Sequence, residues 1–243
     1  MRLLEVSALA KRFGGLEAVT DLSFTLEEGE ILGLIGPNGA GKTTVFNLLS
    51  GFYRPDGGDV RFRGRSLVGL KPHAICLLGL ARTFQIMRPF PHLSVLENVK
   101  VGALARHPHV RDALERAQAV IRRVGLEGKA HAPAGGLTLA ERKRLEVARA
   151  LATEPALLLL DEVMAGLNPT ETGRFIELVR QVNAEGVTVL LIEHVMKAVM
   201  ALSRRVIVLN YGARIAEGLP EGVVRDPRVI EAYLGEEYTR AQA

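Results

Sequence analysis

The chain has 243 residues, 48% of them apolar, with a formal charge of +4, 5% aromatic residues and one cysteine. These values exclude a disordered polymer and an internally disulfide-stapled domain, and no apolar run approaches the ~18 residues of a membrane-spanning helix. The basic excess, 24 arginines and 7 lysines, is scattered rather than blocked and lacks the aromatic–basic interleaving of single-strand binders, so no nucleic-acid partner is expected. Cys76, between Ile75 and Leu77, reads as a small core filler. The opening MRLLEVSALAKRF is too short and too charged to be expected as a signal peptide.

In chain order, LLEVSALA and LSFTLEEG read as short strands between turns, and EILGLIG as an apolar strand ending in glycine. A glycine-rich turn follows, then a helical run, TTVFNLLSG. DVRFRGRSL reads as a hairpin and LARTFQ as a strand reaching Gln85. From about residue 86 the period changes to that of helices: SVLENVKVGALA, VRDALERAQAVIRRVGL and LAERKRLEVARALA. After them come ALLLLD (strand), NPTETGRFIELVRQVNAEG (helix), VTVLLIE (strand), a short helix, RVIVLN (strand) and a terminal helix at PRVIEAYLGEE. Strands alternating with helices imply a parallel sheet. The expected fold is therefore α/β: a P-loop NTPase core, mostly parallel with helices on both faces and an N-terminal antiparallel β portion, with an inserted helical subdomain. The core takes residues 1–85 and 151–243, the insertion 86–150.

The strand EILGLIG runs into GPNGAGKTT, a full match to G-x-x-x-x-G-K-[ST] that opens a helix. Its candidate phosphate-binding residues are Gly36, Pro37, Asn38, Gly39, Ala40, Gly41, Lys42, Thr43 and Thr44. Glycines at 36, 39 and 41 let the backbone curl so that successive amides point inward at a phosphate chain. Lys42 brings a point charge to the β and γ oxygens, Thr43 offers Mg²⁺ a hydroxyl, and Thr44 reaches the α-phosphate side. Carboxylates follow from ALLLLDE, where Asp161 and Glu162 emerge at the C-terminal end of a buried strand, the end at which open α/β sheets bind ligands. Asp161 suits Mg²⁺ through water, and Glu162 suits acceptance of a proton from an attacking water. The neighbouring strand places His194 where it can face the γ-phosphate. Gln85, at another strand end, is a neutral ligand for metal or water.

Residues 135–151, GGLTLAERKRLEVARAL, carry a capping box: Thr138 caps the amide of residue 141 and Glu141 reaches back. A helix N-terminus is also an anion site, because its first amides lack partners. The stretch by itself allows both readings.

Taken in order, the phosphate loop, Gln85, LTLAERKRLEVARAL, LLLLDE, AGLNP and IEH resemble the nucleotide-binding subunit of an ABC transporter over nearly the whole chain. The resemblance implies an ATPase working as a two-chain sandwich, in which ATP lies between one subunit's phosphate loop and Thr138 of the other's signature helix. Phe13, in KRFGG, falls where the family stacks an aromatic on adenine; a core position would account for it equally. RTFQIMRPFPHLSVLENV, the AGLNP loop and PRVIEAYLG further resemble subunits that energise import of branched-chain amino acids. Urea or amide import, lipopolysaccharide export and a catalytically weak nucleotide-binding partner are the alternatives. Implied partners are a related ATPase subunit in a homo- or heterodimer, two membrane permeases and, indirectly, an extracytoplasmic binding protein. The implied location is the cytoplasmic face of the inner membrane. Residues 85–91, with IMRPFP, and the helices to about 104 are the expected permease surface, with Met87 and Phe90 exposed to it. The signature departs from L-S-G-G-Q: Leu139 and Ala140 replace both glycines, and Glu141 replaces glutamine.

Overall fold

The computed structural model describes residues 1–84 and 89–240. Two long strands, β1 (Arg2–Phe13) and β2 (Leu16–Glu27), pair antiparallel around a turn at Gly14, then β3 (Ile31–Ile35) leads into α1 (Lys42–Leu49). The hairpin β4 (Gly57–Phe62) and β5 (Arg65–Ser66) joins the first two strands in a sheet of order β2-β1-β4-β5. Next come α2 (Pro72–Leu78) and the three-residue β6 (Leu80–Arg82). Three helices follow: α3 (Val95–Ala103), α4 (Val110–Arg123) and α5 (Leu139–Leu151). The chain then alternates β7 (Leu157–Asp161), α6 (Pro169–Ala184), β8 (Thr188–Ile192), α7 (Met196–Leu202) and β9 (Arg205–Asn210). It closes with β10 (Ala213–Gly218), α8 (Pro220–Val223) and α9 (Pro227–Arg240).

The main sheet has the order β10-β9-β3-β8-β7-β6, parallel except for the antiparallel edge strand β10. Its central strands β3, β8 and β7 are buried at every position because both faces are covered. Along β7, Leu157 and Leu159 pack with Val45, Phe46 and Leu49 of α1 and with Leu4 and Leu9 of the antiparallel sheet. Leu158 and Leu160, pointing the other way, pack with Leu145 and Ala148 of α5 and Phe175 of α6. One face is thus covered by α1 beneath the antiparallel sheet, the N-terminal β portion expected from the sequence. The buried residues of α3, α4 and α5 are continuous with that second core rather than forming one of their own.

Three local expectations need correction. The strand in LARTFQ ends at Arg82, because only residues 80–82 pair with β7, and Gln85 and Met87 lie outside the described residues. Cys76 is half-buried and lines a groove instead of filling the core. The terminal helix is longer than PRVIEAYLGEE, running to Arg240.

Candidate functional site

β3 ends and α1 begins on either side of a loop whose glycines are required by geometry. Gly36 and Gly41 have φ of 151° and 100°, and a Cβ on them would lie 2.2 Å from the Leu209 carbonyl oxygen and 2.3 Å from that of Ala18. Side chains there would collide with backbone that cannot yield. Lys42 is 6% exposed, and its ammonium donates to the carbonyls of Gly36 (2.6 Å) and Pro37 (2.7 Å). The loop borders a cleft of about 420 Å³ lined by Phe13, Asn38, Gly39, Ala40, Gly41, Lys42, Thr43, Thr44, Glu162 and Tyr211, among others. Phe13 is not a core residue. It is 42% exposed on the cleft wall, edge-on to Tyr53 at 5.2 Å and with the Lys11 ammonium over its ring.

Asp161 ends β7 and is 1% exposed. Its Oδ2 accepts from Arg82 at 3.1 Å, whereas Oδ1 is buried without a hydrogen-bond partner among the described residues. Burial pushes the Asp161 pKa up; the Arg82 guanidinium opposes that, and the Glu162 carboxylate adds to it. An unsatisfied buried carboxylate oxygen is expensive unless a cation or its water shell completes it.

Glu162 follows with a left-handed backbone, φ 50°. Its amide donates to the Ile192 carbonyl of β8 at 2.9 Å, and its Oε1 shares a 2.6 Å hydrogen bond with His194 Nε2. The parallel pairing of β7 with β8 brings the two residues together across 32 positions of sequence. Asp161, Glu162, His194 and the phosphate loop therefore meet at the C-terminal ends of adjacent strands.

Thr138 stands elsewhere on the surface, as N-cap of α5. Its hydroxyl accepts from the Glu141 amide (3.3 Å), and Glu141 Oε2 accepts from the Thr138 amide (2.8 Å). The bond from the Thr138 backbone is the main reason that the Glu141 pKa is lowered. Leu139 and Ala140 occupy the first two helical positions, where glycine has no conformational role. Leu139 is 43% exposed and leans towards Gly166 in the loop of residues 165–169.

Three residues here have no role assigned from the sequence. Arg82 is 6% exposed by side chain and also donates to Asn47 Oδ1 (2.7 Å) and Ser50 Oγ (3.0 Å). Lys143 on α5 donates to the Glu162 carbonyl at 2.7 Å. Glu193, 1% exposed, accepts from the Met164 amide at 2.8 Å.

Residues 19–165 match the ABC transporter family profile, and residues 213–239 match that of the branched-chain amino acid ATP-binding cassette transporter. The chain belongs to the ABC transporter family. It is 46% identical to the high-affinity branched-chain amino acid transport ATP-binding protein LivG of Salmonella typhimurium, over 96% of this chain and 98% of that one. It is 44% identical to BraF of Pseudomonas aeruginosa, described in the same words, with the same coverage. Among solved structures, a nucleotide-free cassette of an ABC transporter superposes with a TM-score of 0.88 at 29% identity, covering 96% of this chain and 99% of that one. A cassette in its ADP conformation gives 0.88 at 30%, covering 97% and 99%. The fold expected from the sequence is that of this ABC cassette. No helix among the described residues is long and apolar enough to cross a membrane.

Proposed function

We propose that this cassette is the ATP-hydrolysing subunit of an importer of branched-chain amino acids. The observation that carries the reading is the Glu162–His194 pair, 2.6 Å apart, next to the cleft that the phosphate loop borders. ATP lies along residues 36–44, its adenine against Phe13, and Lys42 exchanges the loop carbonyls for the β and γ oxygens. Thr43, Gln85 and Asp161 hold Mg²⁺, a role that the unsatisfied Asp161 Oδ1 fits. When bound, Mg²⁺ supplies positive charge to the phosphate oxygens. Glu162 takes the proton of the attacking water, and His194 fixes that carboxylate while facing the γ-phosphate. The proton resides on Glu162 until product leaves.

Thr138 and the first amides of α5 serve the nucleotide of a related ATPase subunit in a homo- or heterodimer. With Glu141 folded back as a cap, its charge is held aside from that phosphate. The helical segment 86–150 acts as the subdomain that meets two permeases at the cytoplasmic face of the membrane, and an extracytoplasmic binding protein feeds them. A groove of about 300 Å³ fits a permease segment, lined by Phe52, Cys76, Phe84, Val101 and Arg149 among others. Beside it, Asn98 fixes the preceding loop, bonding to both the amide and carbonyl of Phe90 (2.9 and 3.0 Å). Vesicles carrying the permeases, the binding protein and this chain should take up leucine only with ATP, and Phe90→Asp should abolish uptake with ATP affinity unchanged. Uptake that needs no ATP sinks the reading; uptake surviving Phe90→Asp moves the permease surface elsewhere.

A further inference from the structure

The backbone of Glu162 is in a conformation that a non-glycine residue holds only when its surroundings impose it. Its amide is held by the Ile192 carbonyl (2.9 Å) and its carboxylate by His194 (2.6 Å). Its carbonyl is held by Lys143, reaching from α5 at 2.7 Å. Lys143 is only 6% exposed, an expensive place for an ammonium. Burial lowers its pKa, and the charges of Glu193, Glu162 and Asp161 work against that, in that order. Glu193 belongs to the same knot: buried, it caps the Met164 amide and so fixes the chain two residues past Glu162. Lys143 is not among the residues lining the cleft that the phosphate loop borders; its ammonium bonds to the main chain of the base instead.

We propose that Lys143 is a positioning residue for the hydrolytic step: its ammonium clamps the Glu162 carbonyl and, with Glu193 as buried counter-charge, holds the Glu162 carboxylate at His194. The clamp rests on the reading of Glu162 as base. It also ties two sites together, because α5 begins at Thr138. The helix whose first turn faces the opposite subunit's nucleotide grips the main chain of its own subunit's base five residues later.

The test uses the full chain with its partner subunits at pH 8, where Glu193, pushed up to about 7 by burial, is ionised. Lys143→Met, Glu193→Gln, the double variant and Glu162→Gln are compared with wild type. ATP affinity, kcat, thermal midpoint and hydrogen exchange of the peptide over residues 161–165 are measured. Lys143→Met should leave ATP affinity unchanged, lower kcat by about 10²-fold, the scale of a misplaced reacting group, and speed exchange in that peptide. It should also lower the midpoint by stranding a buried carboxylate. Adding Glu193→Gln should restore the midpoint without restoring kcat, because the Glu162 carbonyl remains unheld. Exchange at the wild-type rate in Lys143→Met overturns the clamp, and so does kcat that returns together with the midpoint. If wild type and Glu162→Gln turn over ATP alike, the reading of Glu162 as base fails, and the exchange rates still decide the clamp.

Discussion

Arg82→Met removes the residue that reaches from β6 across to Asp161. Arg82 donates to Asp161 (3.1 Å), Asn47 (2.7 Å), Ser50 (3.0 Å) and the Thr83 carbonyl (3.2 Å), with its guanidinium 4.8 Å from the Phe84 ring centre. Methionine replaces the stem but leaves Asp161, 1% exposed, without that charge. Breaking a buried ion pair from one side costs about 3–5 kcal/mol. For a chain of this length each kcal/mol shifts the midpoint by roughly 2–4 °C, so a loss of order 10 °C is expected in a thermal scan at pH 7. The pH dependence has a definite sign. The Asp161 pKa is raised by burial above its ordinary value in the folded chain. Ionising such a group costs stability as pH climbs past the unfolded-state value. Without Arg82 to oppose the rise, the penalty should be greatest at neutral pH and shrink towards pH 4. Mg²⁺ with ATP should recover more stability in the variant than ATP with a chelator, because the ion supplies the missing charge. A midpoint unchanged by Arg82→Met, or a deficit that grows on acidification, would refute the reasoning.

Lys42→Ala should abolish tight ATP binding in a direct titration, because the phosphate loop has no second full positive charge to offer. Phe13→Ala should weaken ATP and GTP by similar small factors, since ring stacking tolerates either base; a preference that changes with the base would point to a different contact. Thr138→Ala should loosen ATP-dependent dimerisation in sedimentation and cost about 1 kcal/mol at the start of α5. Glu141→Gln, which keeps the acceptor of the capping box, should leave the dimer nearly as it was.

Much of this was legible because the chemistry is local. The phosphate loop is one contiguous run, and Gly36 and Gly41 sit where the backbone meets Leu209 and Ala18. Thr138 and Glu141 are three residues apart, so their reciprocal caps could be read directly. The apolar run of β7 announced burial on both faces, but not which layers provide it. What stayed hidden depends on pairs remote in sequence. Arg82 lies 79 residues from Asp161 and 35 from Asn47, and nothing in LARTFQ distinguishes it from a surface arginine. Lys143 and Glu193 look like solvated charges until α5 is laid against β7 and β8. The edge strand β10, with its mixed exposure, lacks the alternation that would have marked it. β1 and β2 read as separate short runs because several register shifts interrupt their alternation.

The most direct test of the central claim is Glu162→Gln, followed by ATP turnover and by sedimentation with MgATP. Glutamine keeps the size of the side chain and a carbonyl oxygen facing His194, but it cannot accept the proton of water. ATP binding should persist, turnover should fall by about 10²–10⁴-fold, and an ATP-bound dimer should accumulate. Wild-type turnover in this variant would show that Glu162 is not the base and would contradict the account.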